Sequence, residues 1–174
     1  DSDREDVFER MRQMQMISVC VGADMPSSAE AVELANREPM FYASVGVHPH
    51  DAKDFTDSDI SVLTDWLTNQ EKVVALGEIG LDYYWDEPDR EIQKKWFKKQ
   101  IALAKEVNLP IIIHSREAAK DTLDILHELD TGDYRGVMHC FSYSPEVARE
   151  VVKMGFHIGV GGVCTYKNAK KLVE

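Results

Sequence analysis

Glu78, His114 and His139 carry side chains that bind divalent cations, and each follows an apolar run of strand type. The run Val73 to Leu76 passes through Gly77 to Glu78, the run Pro110 to Ile113 ends on His114, and Gly136 to Met138 ends on His139. A carboxylate buried alone at the end of a strand is costly, so it is normally paired or bound to metal. Parallel α/β folds gather their chemistry at the carboxyl ends of strands. Any one of these residues read alone is better explained as a hydrogen-bonded rim residue. Their recurrence at three strand ends predicts a hydrolytic centre built around divalent metal. Neutral imidazole suits zinc and other transition ions, and carboxylate also suits magnesium or manganese.

Other chemistry-bearing residues surround this set. Asp82 follows Glu78 as a second acid, trailed by Tyr83, Tyr84 and Trp85. These aromatics suit either base stacking or closure of a barrel mouth. His48 and His50 lie in GVHPH at another strand end, in reach of substrate phosphate or simply in a proline-stiffened turn. Arg116 stands two residues beyond His114, and its planar fork matches a phosphate or a carboxylate. Lys94, Lys95, Lys98 and Lys99 interleave with Trp96 and Phe97, but they fall on the outer face of a helix whose aromatics are core. His127 and His157 have no ligand-type neighbours and read as structural. Cys140 adjoins His139, and strand alternation sends it to the opposite face. The glycines at 159, 161 and 162 do not complete a dinucleotide fingerprint, and neither a P-loop nor a GxSxG elbow is present.

The elements that must position these residues alternate. Strand runs begin near residues 17, 40, 73, 110, 136 and 156, and a helical pattern separates each consecutive pair. Such alternation predicts a parallel sheet with right-handed crossovers. A first helix over residues 3–15 carries Val7, Phe8, Met11 and Met14 as a packing stripe. Ser27 with Glu30 reads as a capping box, Thr56 or Ser58 as a cap, Ser115 as a cap, and Ser144-Pro145 as a cap followed by proline at the first helical position. The longest helix opens at residues 86–89 and stops near Asn108, and a last helix starts near Lys167. An eight-stranded barrel takes about 250 residues. Six βα units in 174 residues therefore fit an α/β barrel of the (β/α)8 TIM type that is incomplete, or else an open doubly wound sheet.

The totals set bounds on both fold and function. Residues 1–174 are expected to form one domain, with 44% hydrophobic and 29% charged residues. No apolar run reaches the length of a membrane span, no signal peptide opens the chain, and three scattered cysteines make no disulfide framework, so a cytoplasmic location is expected. A net charge of −11 argues against non-specific coating of nucleic acid. It leaves room for an enzyme that cuts phosphodiesters, because bound metal supplies local positive charge.

Taken in order, GVHPH (46–50), GEIGLDYY (77–84), IIIHSREA (111–118), VMHCFS (137–142) and IGVGG (158–162) resemble the TatD family of metal-dependent deoxyribonucleases. The resemblance covers most of the chain. It implies a barrel similar to the amidohydrolase superfamily and a 3′→5′ exonuclease acting on DNA. It also implies two divalent ions (magnesium, manganese or zinc), with Glu78 bridging and His114 and His139 as ligands. It strengthens His48 and Arg116 as substrate-binding residues. The same site acting on an ester or amide, of a small molecule or an aminoacyl-tRNA, is the alternative, as is a catalytically silent fragment or binding module. The family's HxH pair on an opening strand and its Asp at a later strand end have no counterpart in these residues. A barrel without its first and last strands is thus expected, with self-association through edges at 17–23 and 156–160, no stable protein partner and no membrane contact.

Overall fold

The computed structural model describes residues 2–129, 135–167 and 169. Six strands form one sheet: β1 (Ser18–Val21), β2 (Phe41–Val45), β3 (Val73–Asp82), β4 (Ile111–Arg116), β5 (Gly136–Met138) and β6 (His157–Ile158). They pair in sequence order and every pair is parallel. Helix α1 (Arg4–Gln13) precedes β1, and α2 (Met25–Arg37), α3 (Asp57–Asn69), α4 (Arg90–Glu106), α5 (Ala119–Glu128) and α6 (Pro145–Lys153) link successive strands. Sequential order with a helix in each crossover is the barrel arrangement, whereas a doubly wound sheet reverses its strand order. The last helix expected near Lys167 falls mostly outside the described residues, which show a short 3₁₀ turn at Gly162–Thr165.

Burial of the apolar helix stripes against the sheet holds the layers together. Leu63, Leu76, Phe97, Ile101, Ile111, Ile113 and Leu126 are fully enclosed, each contributing about 1.5–3 kcal/mol of transfer energy. On β4 the alternation is clear: Ile111 and Ile113 are buried, while Ile112 and His114 are half-buried on the opposite, barrel-interior face. At the two ends of the strand order, Ile17, Val19, Val21 and Val160 are exposed.

Local capping differs from the expectation in several places. Helix α2 begins at Met25, with Asp24 as the cap: its side chain accepts from the Ser27 N–H at 2.7 Å, and the Ser27 hydroxyl accepts from the Asp24 N–H at 3.0 Å. Pro26 therefore lies in the first turn, where its missing N–H costs nothing. Thr56 stands at the cap of α3, its N–H donating to Asp59 Oδ2 at 2.8 Å, and Ser144 occupies the cap position of α6 without a side-chain cap bond, followed by Pro145. Ser115 is not a cap but a strand residue, bonded at 2.8 Å to both the Thr122 and Tyr143 hydroxyls. In the α1 stripe Phe8 is buried, but Met14 lies past the helix end and is 70% exposed.

Two buried glutamines on α4 tie the fold to the strand ends. The Val47 N–H donates to Gln100 Oε1 at 2.8 Å, and Gln100 Nε2 donates to the Val47 carbonyl at 3.0 Å. Seven residues earlier, the Asp82 N–H donates to Gln93 Oε1 at 2.9 Å, and Gln93 Nε2 donates to the carbonyls of Asp82 and Pro88. An amide matches a peptide group donor for acceptor, so each clamp satisfies buried backbone that no neighbouring strand reaches.

Candidate metal centre

Glu78 sits inside β3 rather than at its end. The pairing of β3 with β4 advances from Leu76↔Ile111 to Ile79↔Ile113, so β3 carries one extra residue across Gly77 and Glu78. A bulge of this kind re-aims a side chain. Gly77 permits it, because a Cβ there would meet Ile112 at 2.5 Å. Gly80, opposite His114, has φ +151°, and a Cβ there would overlap the His114 carbonyl oxygen. These two glycines allow β3 and β4 to approach closely at the site.

The side chains then converge. His114 Nδ1 lies 3.2 Å from Glu78 Oε1, and His114 Nε2 lies 2.9 Å from Asp82 Oδ2. His50 Nε2 reaches the same Asp82 oxygen at 3.2 Å. The other Asp82 oxygen accepts from the backbone N–H groups of Tyr84 and Trp85, at 3.0 and 3.1 Å. His48 packs edge to face on His114, with ring centroids 4.3 Å apart, and its Nδ1 accepts from the His50 N–H. Among the described residues, ligand atoms of His48, Glu78 and His114 lie within 4.8 Å of one another. Two imidazoles and a carboxylate, all half-buried, form a donor set that fits a divalent transition ion. Asp82 on a ring nitrogen of His114 supplies the outer carboxylate that orients a metal-ligating histidine.

Electrostatics distinguish the two histidines. Burial, reinforced by the charge of His114, pushes His48 down from 6.5 to about 4, so it stays a neutral ligand at neutral pH. Burial also disfavours charge on His114, but its hydrogen bonds to Glu78 and Asp82 outweigh that and raise its pKa. Burial opposes ionisation of Glu78 and Asp82 as well. For Glu78 the His114 hydrogen bond overcomes it, with the charges of His114, His139 and His48. For Asp82 the Trp85 N–H and His114 do so. Both carboxylates are therefore held ionised.

The other residues singled out in the sequence fall as follows. His139 lies in the turn after β5, exposed, with its N–H donating to the Ile113 carbonyl at 2.8 Å, outside the 4.8 Å group. Cys140 does not turn away. With φ +43° the chain leaves strand geometry, and the Cys140 sulfur rests 3.2 Å from His139 Nε2. The Arg116 guanidinium lies 3.8 Å from the centre of the Tyr84 ring. Three lysines of the cluster are paired, Lys94 with Glu91 and Asp121, Lys98 with Glu128 and Lys99 with Asp57, and Lys95 lies over the Trp96 ring at 4.3 Å. His127 pairs with Glu150 at 3.2 Å. The engagement of Asp82 with both His114 and His50 is not readable from spacing. Nor are the glutamine clamps, although Gln93 and Gln100 stand out as polar residues inside an apolar helix stripe.

A parallel barrel-type sheet with a His–Glu–His group gathered toward the carboxyl side of its strands is the architecture of a metal-dependent hydrolase. The chain matches the model of TatD related DNases over residues 1–174 and belongs to that family. It is 49% identical to the uncharacterized metal-dependent hydrolase YabD of Bacillus subtilis, covering 100% of this chain and 68% of the relative. It is 31% identical to the 3′-5′ ssDNA/RNA exonuclease TatD of Salmonella typhimurium, over 99% of this chain and 66% of that one. The crystal structure of the TatD homologue YjjV from Escherichia coli superposes with a TM-score of 0.87 at 34% identity, covering 95% of this chain and 64% of the other. The chain thus spans about two thirds of the length of these relatives. Among the described residues no helix is long and apolar enough to cross a membrane.

Proposed function

We propose that the protein hydrolyses phosphodiester bonds of DNA as a 3′→5′ exonuclease, using divalent metal. The observation that carries this reading is the convergence of His48, Glu78 and His114 within 4.8 Å, with Asp82 behind His114. These residues would hold the metal, together with His139 from the neighbouring turn. A bound divalent ion supplies polarisation of a phosphoryl oxygen and a readily ionised water. Glu78, ionised and partly enclosed, is placed to accept a proton from an attacking water. His48, neutral at neutral pH, is placed to ligate without first losing a proton. Asp82 fixes the ring orientation of His114. The exonuclease name borne by the Salmonella relative supports DNA as the substrate class. Magnesium, manganese and zinc all suit the donors, and two ions per site is the proposed stoichiometry.

The test is nucleotide release from single-stranded DNA with magnesium or manganese, against chelator and a Glu78→Ala variant. Activity abolished by both supports the reading, and turnover that survives Glu78→Ala overturns it. A site that cleaves carboxylic esters or amides but no phosphodiester transfers the assignment to the alternative hydrolase reading. Self-association through the β1 and β6 edges is proposed alongside, and sedimentation at increasing concentration measures it.

A further inference from the structure

Beside the metal group stand two large aromatics that the fold does not use as core. Tyr84 is 52% exposed and Trp85 is 62% exposed. Their rings meet at 88° with centroids 5.3 Å apart, which makes a right-angled shelf. Neither ring is carried on a loose loop. Both backbone N–H groups are bonded to Asp82 Oδ1, and the other oxygen of that carboxylate holds His114 and His50. The Arg116 guanidinium is stacked on Tyr84 and braces it. Trp85 stands edge to face with His50, centroids 6.4 Å apart. One buried carboxylate therefore sets the distance between the shelf and the reacting centre. Exposed aromatics fixed in this way beside a charged site form a platform for a flat, polarisable ring.

We infer that Tyr84 and Trp85, braced by Arg116, form a stacking platform for an unpaired nucleobase adjoining the scissile phosphodiester. The inference rests on the phosphodiesterase reading above and adds to it a specificity determinant. A base paired in a duplex has both faces covered by its neighbours, so the platform selects unpaired ends. Every base offers a π-face, so it selects little by sequence. The Arg116 guanidinium covers a face of the Tyr84 ring, and its planar fork suits the flanking phosphate.

The test compares kcat/KM of the full-length protein on a single-stranded oligodeoxynucleotide with that on the same oligonucleotide carrying abasic residues at its 3′ end. Wild-type protein is expected to favour the base-bearing strand by roughly tenfold or more, the size of one or two stacking contacts. In Trp85→Ala and Tyr84→Ala that preference collapses toward unity, mainly through KM. Trp85→Phe, which keeps a ring, retains most of it. Equal loss on both strands in the alanine variants would show a merely structural role and overturn the platform. So would a wild-type enzyme indifferent to the missing bases. If no phosphodiester of either strand is cut while another ester is, the phosphodiesterase reading itself falls and the platform with it.

Discussion

Gln100→Met is the substitution that tests most directly how the fold aims the site. Methionine keeps nearly the same volume and helix propensity, so packing in α4 is preserved while the amide is lost. Gln100 is 1% exposed and Val47 is 3% exposed, so water cannot replace the two hydrogen bonds of 2.8 and 3.0 Å. The variant leaves one buried N–H and one buried carbonyl without partners. At about 1–3 kcal/mol for each orphaned group, the loss is about 2–6 kcal/mol. At a urea m-value of about 2 kcal/mol/M this lowers the unfolding midpoint by about 1–3 M, against a total stability of about 5–15 kcal/mol. Tryptophan fluorescence during urea titration reads the shift. Gln70→Met is the control, because its 3.0 Å bond to Asn36 is exposed and its loss is expected to stay within about 0.5 kcal/mol. Val47 immediately precedes His48, so metal affinity should fall in Gln100→Met as well. A Gln100→Met protein that unfolds with the control, or that binds metal as the wild type does, would refute the assignment of Gln100 as the residue that positions His48.

Two further outcomes follow from the same geometry. Gly80→Ala places a Cβ against the His114 carbonyl at φ +151°, so it should cost at least about 2 kcal/mol and weaken metal binding together; unchanged melting and unchanged metal affinity would show that β3 and β4 separate freely there. The raised pKa of His114 means that, near pH 6.5 and below, an incoming ion must displace a proton, whereas His48, at about 4, is already free. Metal affinity should therefore rise with pH through the window above 6.5 and level off past the raised value. Calorimetry at pH 6.5 in buffers of different ionisation enthalpy should detect proton release, and its absence would contradict the His114 assignment.

Much of the fold was legible because hydrophobic periodicity is a local property. The runs at Val73 and Ile111 read as strands, and the stripe through Trp96, Phe97, Ile101 and Ala104 read as one helix face. The alternation of the two predicted a parallel sheet, which the parallel pairing of each neighbouring strand from β1 to β6 bears out. Caps were less legible, since Asp24, Ser27 and Ser115 can each bond in several local geometries and only the packed chain selects one. Composition, motif order and the residue types at 78, 114 and 139 came from the sequence alone, and they sufficed to point to the family.

What the tertiary structure decided is register and approach. Glu78 meets His114 across 36 positions of sequence, and Asp82 meets it across 32, through a bulge that shifts β3 by one residue against β4. A shift of one residue reverses which side chains face the site, and nothing in the linear pattern of GEIGLD fixes where that shift falls. The same holds for Cys140, which a left-handed turn brings beside His139, and for Gln93 and Gln100, whose partners lie on separate elements. The sequence determined which groups were available for chemistry, because side-chain type and local period are written residue by residue. Only the folded sheet determined which of them touch, because a hydrogen bond near 3 Å depends on the sum of every register and crossover between the two residues.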